Sequence, residues 1–419
     1  MSLVKVAIIF LVIFLLSTRL KKWIAVAIFT GAILSGILFA FSPVKTFVVV
    51  FKGMFTLESV SLSLLVSLIT VMGSLMKETN LLDDCREYAL KVFPSARSAG
   101  AFMASLIGLL PMPGGALFSA PLVGASIEGE GEKNSPGLMT ALNYWFRHVW
   151  EFWWPLYPGI IALLAVTGLD LSQWIPVSIV FTPLAIFLGW IFLLRRVKVT
   201  LVKNKSGQTK NSPKAFMPLL SVIISAVIFK ILAVLFKIDI QTAFLIIPAV
   251  LIGILINLTQ YRHKKIKLSA VLNWQRILPI AVLLLTIMGY KAIIEQANIA
   301  TGIAADIQSL NLPVILLFVL LPFIAGVITG IAVGYIGASF PLIVEMLADF
   351  PQYSKIAVLV LAFGWGYVGM MLSPFHACFL FSKDYFYASW KDSYKYLWLP
   401  AIFLAIAFTI AYILLELFS

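Results

Sequence analysis

The strongest constraint on this chain is that its two halves carry related features at a nearly constant spacing. Met72-Gly73 recurs as Met288-Gly289, and Pro121-Leu122 recurs as Pro341-Leu342. The separation is in each case about half of the 419 residues. In membrane proteins, paired halves with Gly/Pro-interrupted segments at matching places are typical of transporters, and the binding site lies where the interruptions meet. The repeat therefore predicts two related halves with a site between them.

Composition places the chain in a membrane. Apolar residues make up 61% of it and charged residues only 12%, whereas soluble domains carry about 25% charged residues. The stretches Val4–Ser17, Trp23–Phe41 and Leu397–Leu415 are nearly free of charge, and they meet or approach the roughly 20 apolar residues that a spanning helix needs. We therefore predict an all-α polytopic membrane protein.

The apolar pattern divides each half into five transmembrane helices and one re-entrant hairpin, so the fold is predicted as two inverted repeats. In the first half the predicted helices are 4–20, 22–41, 57–77, 136–166 and 173–195, with the hairpin at 97–126. In the second half they are 215–236, 241–259, 272–295, 354–382 and 396–418, with the hairpin at 312–348.

Loop charges predict the orientation. Lys and Arg cluster in the loops assigned to one side, which include Arg195–Lys214 and Tyr261–Lys265. The opposite loops, Thr167–Gln173 and Glu295–Asn311, contain acidic residues and no Lys or Arg. Because basic loops stay in the cytoplasm, we expect a multi-pass protein of a prokaryotic inner membrane with both termini outside. The net charge of +13 is then loop charge and not a nucleic-acid surface.

The repeat also suggests a division into domains. Residues 1–78 and 214–294 are predicted to form a scaffold, and residues 96–195 and 312–419 a moving transport domain, joined by a cytoplasmic linker at 196–213. The amphipathic segments 79–95 and 295–311 are predicted to lie in the membrane interface. They are either surface anchors or arms that connect the scaffold to the transport domain.

The two hairpin tips are the first candidate site. Proline and glycine open the backbone, and bare backbone at membrane depth is tolerated only where protein or water covers it. The glycine pattern of the second tip also fits a helix-packing motif. The candidates are Pro113, Gly114, Gly115 and Ser119 in the first half, and Thr329, Gly330, Gly334 and Ser339 in the second.

Two helix breaks form the second candidate. Pro155 lies in the stretch Trp153–Pro158, and Pro374 occupies the matching place in Leu372–His376. A proline inside a helix frees carbonyl groups, and freed carbonyls can bind Na⁺. We predict the carbonyls of Trp154 and Leu372 as ligands of a coupling ion and Ser373 as a contact of the solute. An ordinary proline kink is the alternative.

Polar residues before the first break form the third candidate, since ionisable groups within a bilayer are usually functional. We predict that Asn143, Arg147 and His148 contact an anionic solute, as does His376 at the second break. Glu151 is predicted to take the coupling ion. The alternative is a buried Arg147–Glu151 ion pair. His148 and Glu151 alone make an incomplete metal site, so no metal is expected.

Three motifs resemble an uncharacterised prokaryotic family within the ion-transporter superfamily, whose relatives include divalent-anion/sodium symporters and citrate and gluconate permeases. The motifs are Leu110–Pro121, Asn143–Glu151 and Ser373–Cys378. The resemblance covers nearly the whole chain, although the Ser-Asn-Thr tips of the symporters are absent. It implies an inverted-repeat fold, elevator movement of a transport domain and, in many members, a homodimer.

Together these features predict a secondary active transporter that moves a small organic anion by an elevator mechanism, coupled to Na⁺ or H⁺. The expected partners are the solute, membrane lipid and a second copy of the chain, with no nucleic acid. No cofactor and no enzymatic activity are expected. The alternatives are an intramembrane enzyme or lipid-handling protein, which would need a complete nucleophile or metal set, and an ion channel.

Overall fold

A computed structural model describes residues 2–20, 23–81, 84–85, 88, 95–109, 115–127, 134–198, 213–238 and 242–418. Its described secondary structure is helical. The helices of the first half are α1 Ser2–Arg19, α2 Ile24–Leu38, α3 Pro43–Met54, α4 Leu57–Glu78, α5 Ala96–Gly108, α6 Ala116–Ile127, α7 Pro136–Arg147, α8 Pro158–Thr167, α9 Leu171–Ser178 and α10 Phe181–Phe192.

The described secondary structure of the second half is also helical. Its elements are α11 Met217–Leu235, α12 Thr242–Gln260, α13 Leu268–Val271, α14 Trp274–Gln296, α15 Ile299–Ser309, α16 Ile315–Thr329, α17 Ala332–Asp349, α18 Lys355–Met371, α19 Ala377–Tyr385 and α20 Trp390–Leu417. Short 3₁₀ turns at Leu194–Arg196 and Pro213–Phe216 flank the linker.

The helices confirm a multi-pass membrane protein. Within the described ranges, eight segments are long and apolar enough to cross a membrane, a property that soluble domains do not share. They are Ser2–Arg19, Leu57–Glu78, Leu171–Arg196, Met217–Leu235, Ala243–Gln260, Leu268–Gln296, Ala332–Asp349 and Trp390–Leu417.

Helix α3 was not predicted from the sequence. It begins with a cap in which Ser42 Oγ accepts a hydrogen bond of 3.2 Å from Lys45 N, and Pro43 stands at its first turn, where a proline is well tolerated. Its buried face, which includes Val49 and Val50, packs on α14. Lys45 and Lys52 make the sequence of this segment partly polar, but its apolar face packs on α14.

Other differences concern helix ends. The predicted helices 136–166 and 354–382 are each two helices separated by a break, α7 with α8 and α18 with α19. The predicted helix 173–195 is divided into α9 and α10. Helix α20 begins at Trp390, earlier than predicted, because Ser389 Oγ caps it by accepting from Asp392 N at 3.2 Å.

Packing partners are exchanged between the two halves. Helix α2 packs on α14 of the second half, and its counterpart α12 packs on α4 of the first. In the hairpins, α6 packs on α19 and α17 packs on α8. Each half therefore completes the other, and neither half closes its own core alone.

The two segments predicted to lie in the interface are each joined to the other half by an aspartate. Asp84 Oδ2 accepts a hydrogen bond of 2.7 Å from Tyr261 Oη, and Asp306 Oδ2 in α15 accepts one of 2.9 Å from Leu3 N. Burial, together with the nearby Asp84 carboxylate, raises the pKa of the Cys85 thiol to about 12. Cys85 is therefore a protonated, poorly reactive thiol. Residues 82–83, 86–87 and 89–94 lie outside the described residues.

Candidate functional site

Helix α7 is the central element of the candidate site. Pro136 stands at its first turn, and Asp392 Oδ2 of α20 accepts hydrogen bonds of 2.8 Å from both Gly137 N and Ser135 Oγ at its start. Every residue from Gly137 to Arg147 is buried. A helix that is buried on all sides belongs to the core, so its polar residues Asn143 and Arg147 point into protein and not into lipid.

Arg147 lies between both arms of the first hairpin. Its side chain is 4% exposed, and Nη1 donates a 3.2 Å hydrogen bond to the carbonyl of Ile107. A Cβ atom placed on Gly115 would stand only 2.2 Å from Arg147 Nη2. A side chain at position 115 would therefore displace the guanidinium from this place. Of the predicted first tip, Pro113 and Gly114 lie outside the described residues.

Two histidines from the two breaks meet at the end of α7. The rings of His148 and His376 are 4.7 Å apart between centroids, and Tyr144 packs edge-on against both, at 4.8 and 4.9 Å. The Cys378 thiol completes the cluster, because the ligand atoms of His148, His376 and Cys378 all lie within 4.8 Å of one another. The charged Arg147 side chain also lies close enough to this thiol to interact with it electrostatically. The structure therefore joins the predicted sites of the two halves.

Glu151 lies beside this cluster. Its Oε1 is 3.9 Å from His148 Nε2, and its side chain is 11% exposed. Its other oxygen, Oε2, is buried with no hydrogen-bond partner among the described residues. A buried carboxylate oxygen without a hydrogen bond raises the free energy of the folded protein. A bound cation would remove this cost, so the oxygen is suited to ion binding.

Aromatic donors cover the carbonyls at the end of α5. Trp154 Nε1 donates to Leu109 O at 3.1 Å, Trp150 Nε1 donates to Ser105 O at 3.0 Å, and Tyr157 Oη donates to Gly108 O. The first break thus holds the first hairpin by side-chain hydrogen bonds that take up the orphan carbonyls of a helix end.

The two carbonyls predicted to bind a coupling ion each accept one hydrogen bond already. Trp154 O accepts from Tyr157 N at 3.0 Å, and Leu372 O accepts from Tyr394 Oη at 3.0 Å. A carbonyl oxygen has two lone pairs, so each retains one for a cation. Their role as ligands stays a prediction.

The second hairpin is held by close backbone packing. Ser373 Oγ donates to Val327 O at 2.6 Å. Gly330 adopts φ +61°, and a Cβ there would lie 2.8 Å from His376 N. A Cβ on Gly334 would stand 2.6 Å from Thr329 Cβ. Thr329 and Gly330 are therefore at the tip, next to the second break, as the repeat predicts.

The remaining predicted residues are spread more widely. Ser339 Oγ bonds to Tyr335 O, one turn back in its own helix, at 2.7 Å. Asn143 Nδ2 donates to Ser382 Oγ at 2.8 Å. Ser119 is buried in α6, which packs on α7 and α19. No contact of Ser339 with the histidine cluster is seen in the described part of the chain.

Some buried polar atoms without partners belong to predicted site residues. Of nine such side-chain atoms in the described part of the chain, four are Ser119 Oγ, Asn143 Oδ1, Glu151 Oε2 and His376 Nδ1, and the other five lie on Ser17, Arg97, Asn257 and Gln260. Because folded proteins rarely leave such atoms unpaired, the four on elements that meet at the breaks are candidates for contact with a ligand, an ion or water.

Sequence reasoning missed Cys378, Tyr144 and Ser382. Cys378 stands two residues after His376, a His-x-Cys spacing that signals little without knowledge that His148 lies opposite. Ser382 is one turn further along α19, where its hydroxyl bonds to Cys378 O at 2.7 Å. Only the packing of α7 against α19 brings these groups together.

Interrupted buried helices, paired hairpins and eight candidate spans define an integral membrane protein with a polar site between its two halves. Residues 1–415 match the profile of the DUF401 family, described as a protein of unknown function, and the chain belongs to that family. No curated protein matches the chain.

A solved structure with the same fold is that of the YdaH transporter of Alcanivorax borkumensis, described as having an unusual topology. The similarity has a TM-score of 0.54 at 15% sequence identity and covers 84% of each chain. At this identity the likeness establishes a shared fold.

Proposed function

We propose that this protein is a secondary active transporter that moves a small organic anion across the inner membrane by an elevator mechanism, coupled to Na⁺ or H⁺. The observation that carries the proposal is the meeting of the two helix breaks around a buried guanidinium. Discontinuous helices at the interface of two repeats are how transporters build a solute site. The similarity in fold to a solved transporter supports the class.

The inverted repeat is supported by contacts between equivalent positions. Ser63 Oγ donates to Ala281 O at 3.1 Å across a separation of 218 residues. Tyr367 Oη donates to His148 O at 3.1 Å across 219 residues. These separations fall between the 216 and 220 residues by which Met72 and Pro121 recur as Met288 and Pro341, and residues beside a two-fold axis contact their own equivalents. The loop charges favour an axis in the membrane plane.

Cysteine labelling tests this orientation. In a background of Cys85→Ser and Cys378→Ser, single cysteines at Gly115 and Thr329 should react with a membrane-impermeant reagent from opposite sides of the membrane, Gly115 from the cytoplasm. Labelling of both from one side would exclude the inverted arrangement.

An anion is supported by the charges and dipoles of the site. Arg147 carries a positive charge and is 4% exposed, and a buried guanidinium attracts an anion more strongly than one in water does. The N-termini of α8 and α19 also point toward the breaks, beginning at Pro158 and Ala377, and helix N-termini favour anions. Arg147 presents a planar fork that suits a carboxylate.

The coupling ion is proposed to be Na⁺, with H⁺ on Glu151 as the alternative. If Na⁺ binds the carbonyls of Trp154 and Leu372, Glu151→Gln should leave sodium-driven uptake in place. If Glu151 carries the proton, that variant should lose pH-driven accumulation while keeping solute exchange. Uptake in proteoliposomes, measured once under a sodium gradient and once under a pH gradient, distinguishes the two coupling ions.

Elevator movement is supported by the contact between the predicted scaffold and transport domain. Helix α14 packs on α17 and α8, and a Cβ on Gly337 would stand 2.3 Å from Ile287 Cγ1. An apolar contact that includes a small residue such as Gly337 would let the predicted transport domain slide along the predicted scaffold. Lys291 Nζ, which donates to Ala165 O at 2.9 Å, is a polar link across it.

The direct test is reconstitution. Purified protein in proteoliposomes should accumulate a radiolabelled small carboxylate against its gradient when an ion gradient is imposed. A channel would equilibrate the solute without accumulation, and an intramembrane enzyme would convert it. The Cys378 thiol, within 4.8 Å of a ring nitrogen of His148, is the feature that keeps the enzyme in consideration, because a thiol beside an imidazole is a nucleophile pair.

A further inference from the structure

We propose that His148, His376 and Cys378 bind a single soft or borderline d-block metal ion, of which Zn²⁺ is the natural probe. The site lies within the proposed transport site and shares its location, but it requires only the fold and not transport. It would join the first break to the second through one ion.

The first argument is the fixed orientation of the His148 imidazole. His148 Nδ1 lies 2.6 Å from Tyr144 O; because a carbonyl only accepts, Nδ1 carries the proton and Nε2 keeps a lone pair. The Cys378 sulfur lies within 4.8 Å of the ring nitrogen that His148 offers as a ligand. A ring nitrogen held by a backbone carbonyl is the usual support of a histidine metal ligand.

His376 also leaves a ring nitrogen available. Its Nδ1 is buried and has no hydrogen-bond partner among the described residues. The residue is 4% exposed, so this nitrogen lies inside the protein, where the described structure gives it nothing to bind.

The distances and the ligand types fit a small metal site. The three ligand atoms lie within 4.8 Å of one another. Zn²⁺ binds histidine nitrogen at about 2.0–2.1 Å and cysteine sulfur at about 2.3 Å, so closure requires a movement of about 1 Å. Two imidazoles and one thiolate form a borderline-to-soft set that selects zinc or copper over Mg²⁺ and Ca²⁺.

The surrounding charges are compatible with a dication that binds together with negative ligands. Metal binding releases the thiol proton, so Cys378 contributes one negative charge and the neighbouring Glu151 another. Glu151 Oε1 is 3.9 Å from His148 Nε2 and is the carboxylate placed to occupy a fourth position. Arg147, on the other side of the thiol, contributes one positive charge.

The test uses Co²⁺, whose bond to a thiolate gives a near-ultraviolet charge-transfer band. The protein is purified in detergent, its affinity tag is removed, and it is titrated with Co²⁺ and then with Zn²⁺ as a competitor. We expect one equivalent of Co²⁺, the thiolate band, and displacement by Zn²⁺. Cys85→Ser is the matched control, because it removes the other cysteine and should leave the titration unchanged.

Two variants make the result decisive. Cys378→Ser should abolish the thiolate band, and His376→Gln, which keeps the thiol, should weaken Co²⁺ binding at least about tenfold. Both must remain monodisperse and helical. No band in folded wild-type protein, or a band of equal affinity in His376→Gln, would overturn the proposal. Uptake assays test the transporter independently of the metal site. Metal binding without uptake contradicts the transporter and leaves the metal site standing. Uptake without metal binding contradicts the metal site and leaves the transporter standing.

Discussion

The two halves place very different residues at one equivalent position. In the first half a Cβ on Gly108 would lie 2.2 Å from the carbonyl of Arg147. In the second half a Cβ on Gly326 would lie 2.3 Å from the carbonyl of Gly366. Arg147 and Gly366 are separated by the same 219 residues that separate His148 from Tyr367. At this backbone contact the first half therefore has Arg147, and the second half has Gly366, which has no side chain.

This difference indicates a division of labour. The first half supplies charge and hydrogen-bond donors, namely Arg147, Glu151 and the indoles that hold its hairpin. Both halves pack closely along their backbones: Gly108 shows this in the first half, and in the second half a Cβ on Gly369 would lie 2.2 Å from Phe323 O. The two halves therefore differ in the charge that they carry at this contact and not in how closely it packs.

The largest effect should follow from removing the charge that distinguishes the halves. Arg147→Ala should weaken binding of a carboxylate solute by more than about 2 kcal/mol, roughly thirtyfold, because the anion loses its buried partner. Ligand-induced thermal shift measures this. Arg147→Lys should retain part of the binding, and Ser373→Ala in the second break should change it little. Equal losses for Arg147→Ala and Ser373→Ala would end the proposed division of labour.

The next effect concerns packing. Gly326→Ala should lower the stability of the protein by about 1–3 kcal/mol, because the added methyl group meets a backbone carbonyl that cannot move aside. Gly124→Ala in the first hairpin is the control, since the atom nearest its Cβ is Phe386 Cε1 at 3.6 Å. Thermal denaturation in detergent should show a lower Tm for Gly326→Ala only. Similar values for both would show that the second hairpin is not closely packed.

The smallest effect compares the hydrogen bonds at the two breaks. Tyr157→Phe removes the donor to Gly108 O and Tyr394→Phe removes the donor to Leu372 O. Each should cost about 1 kcal/mol, with the larger loss at Tyr157, which is more deeply buried than Tyr394. A larger loss for Tyr394→Phe would place the stronger side-chain support at the second break and not the first.

The prediction of an all-helical, multi-pass membrane protein is confirmed, because long apolar runs follow directly from solubility in lipid. Both breaks are visible in the sequence as apolar runs interrupted by proline. The re-entrant character of the hairpins at 97–126 and 312–348 stays a prediction, since Ala332–Asp349 is itself long and apolar enough to cross a membrane. Helix α3 was missed because its polar residues, including Lys45 and Lys52, hide a narrow buried face. The Ser42-Pro43 start was a readable signal of a helix.

The candidate site was only partly predictable. Arg147, His148 and Glu151 stand close together in the chain, so their cost within a bilayer marks them directly. Cys378 has no such mark. Its significance depends on the packing of α19 against α7, a contact between residues more than two hundred positions apart, which no local pattern records.

The unpaired polar atoms around the breaks have a consequence for protein engineering. A buried polar atom without a partner costs about 1–3 kcal/mol, and apolar replacements at such places are a common route to heat resistance. A library selected for survival at high temperature in detergent should therefore enrich apolar side chains at Ser119 and Asn143. Those variants would be the easiest to purify and the least able to bind solute, so selection should be performed with ligand present.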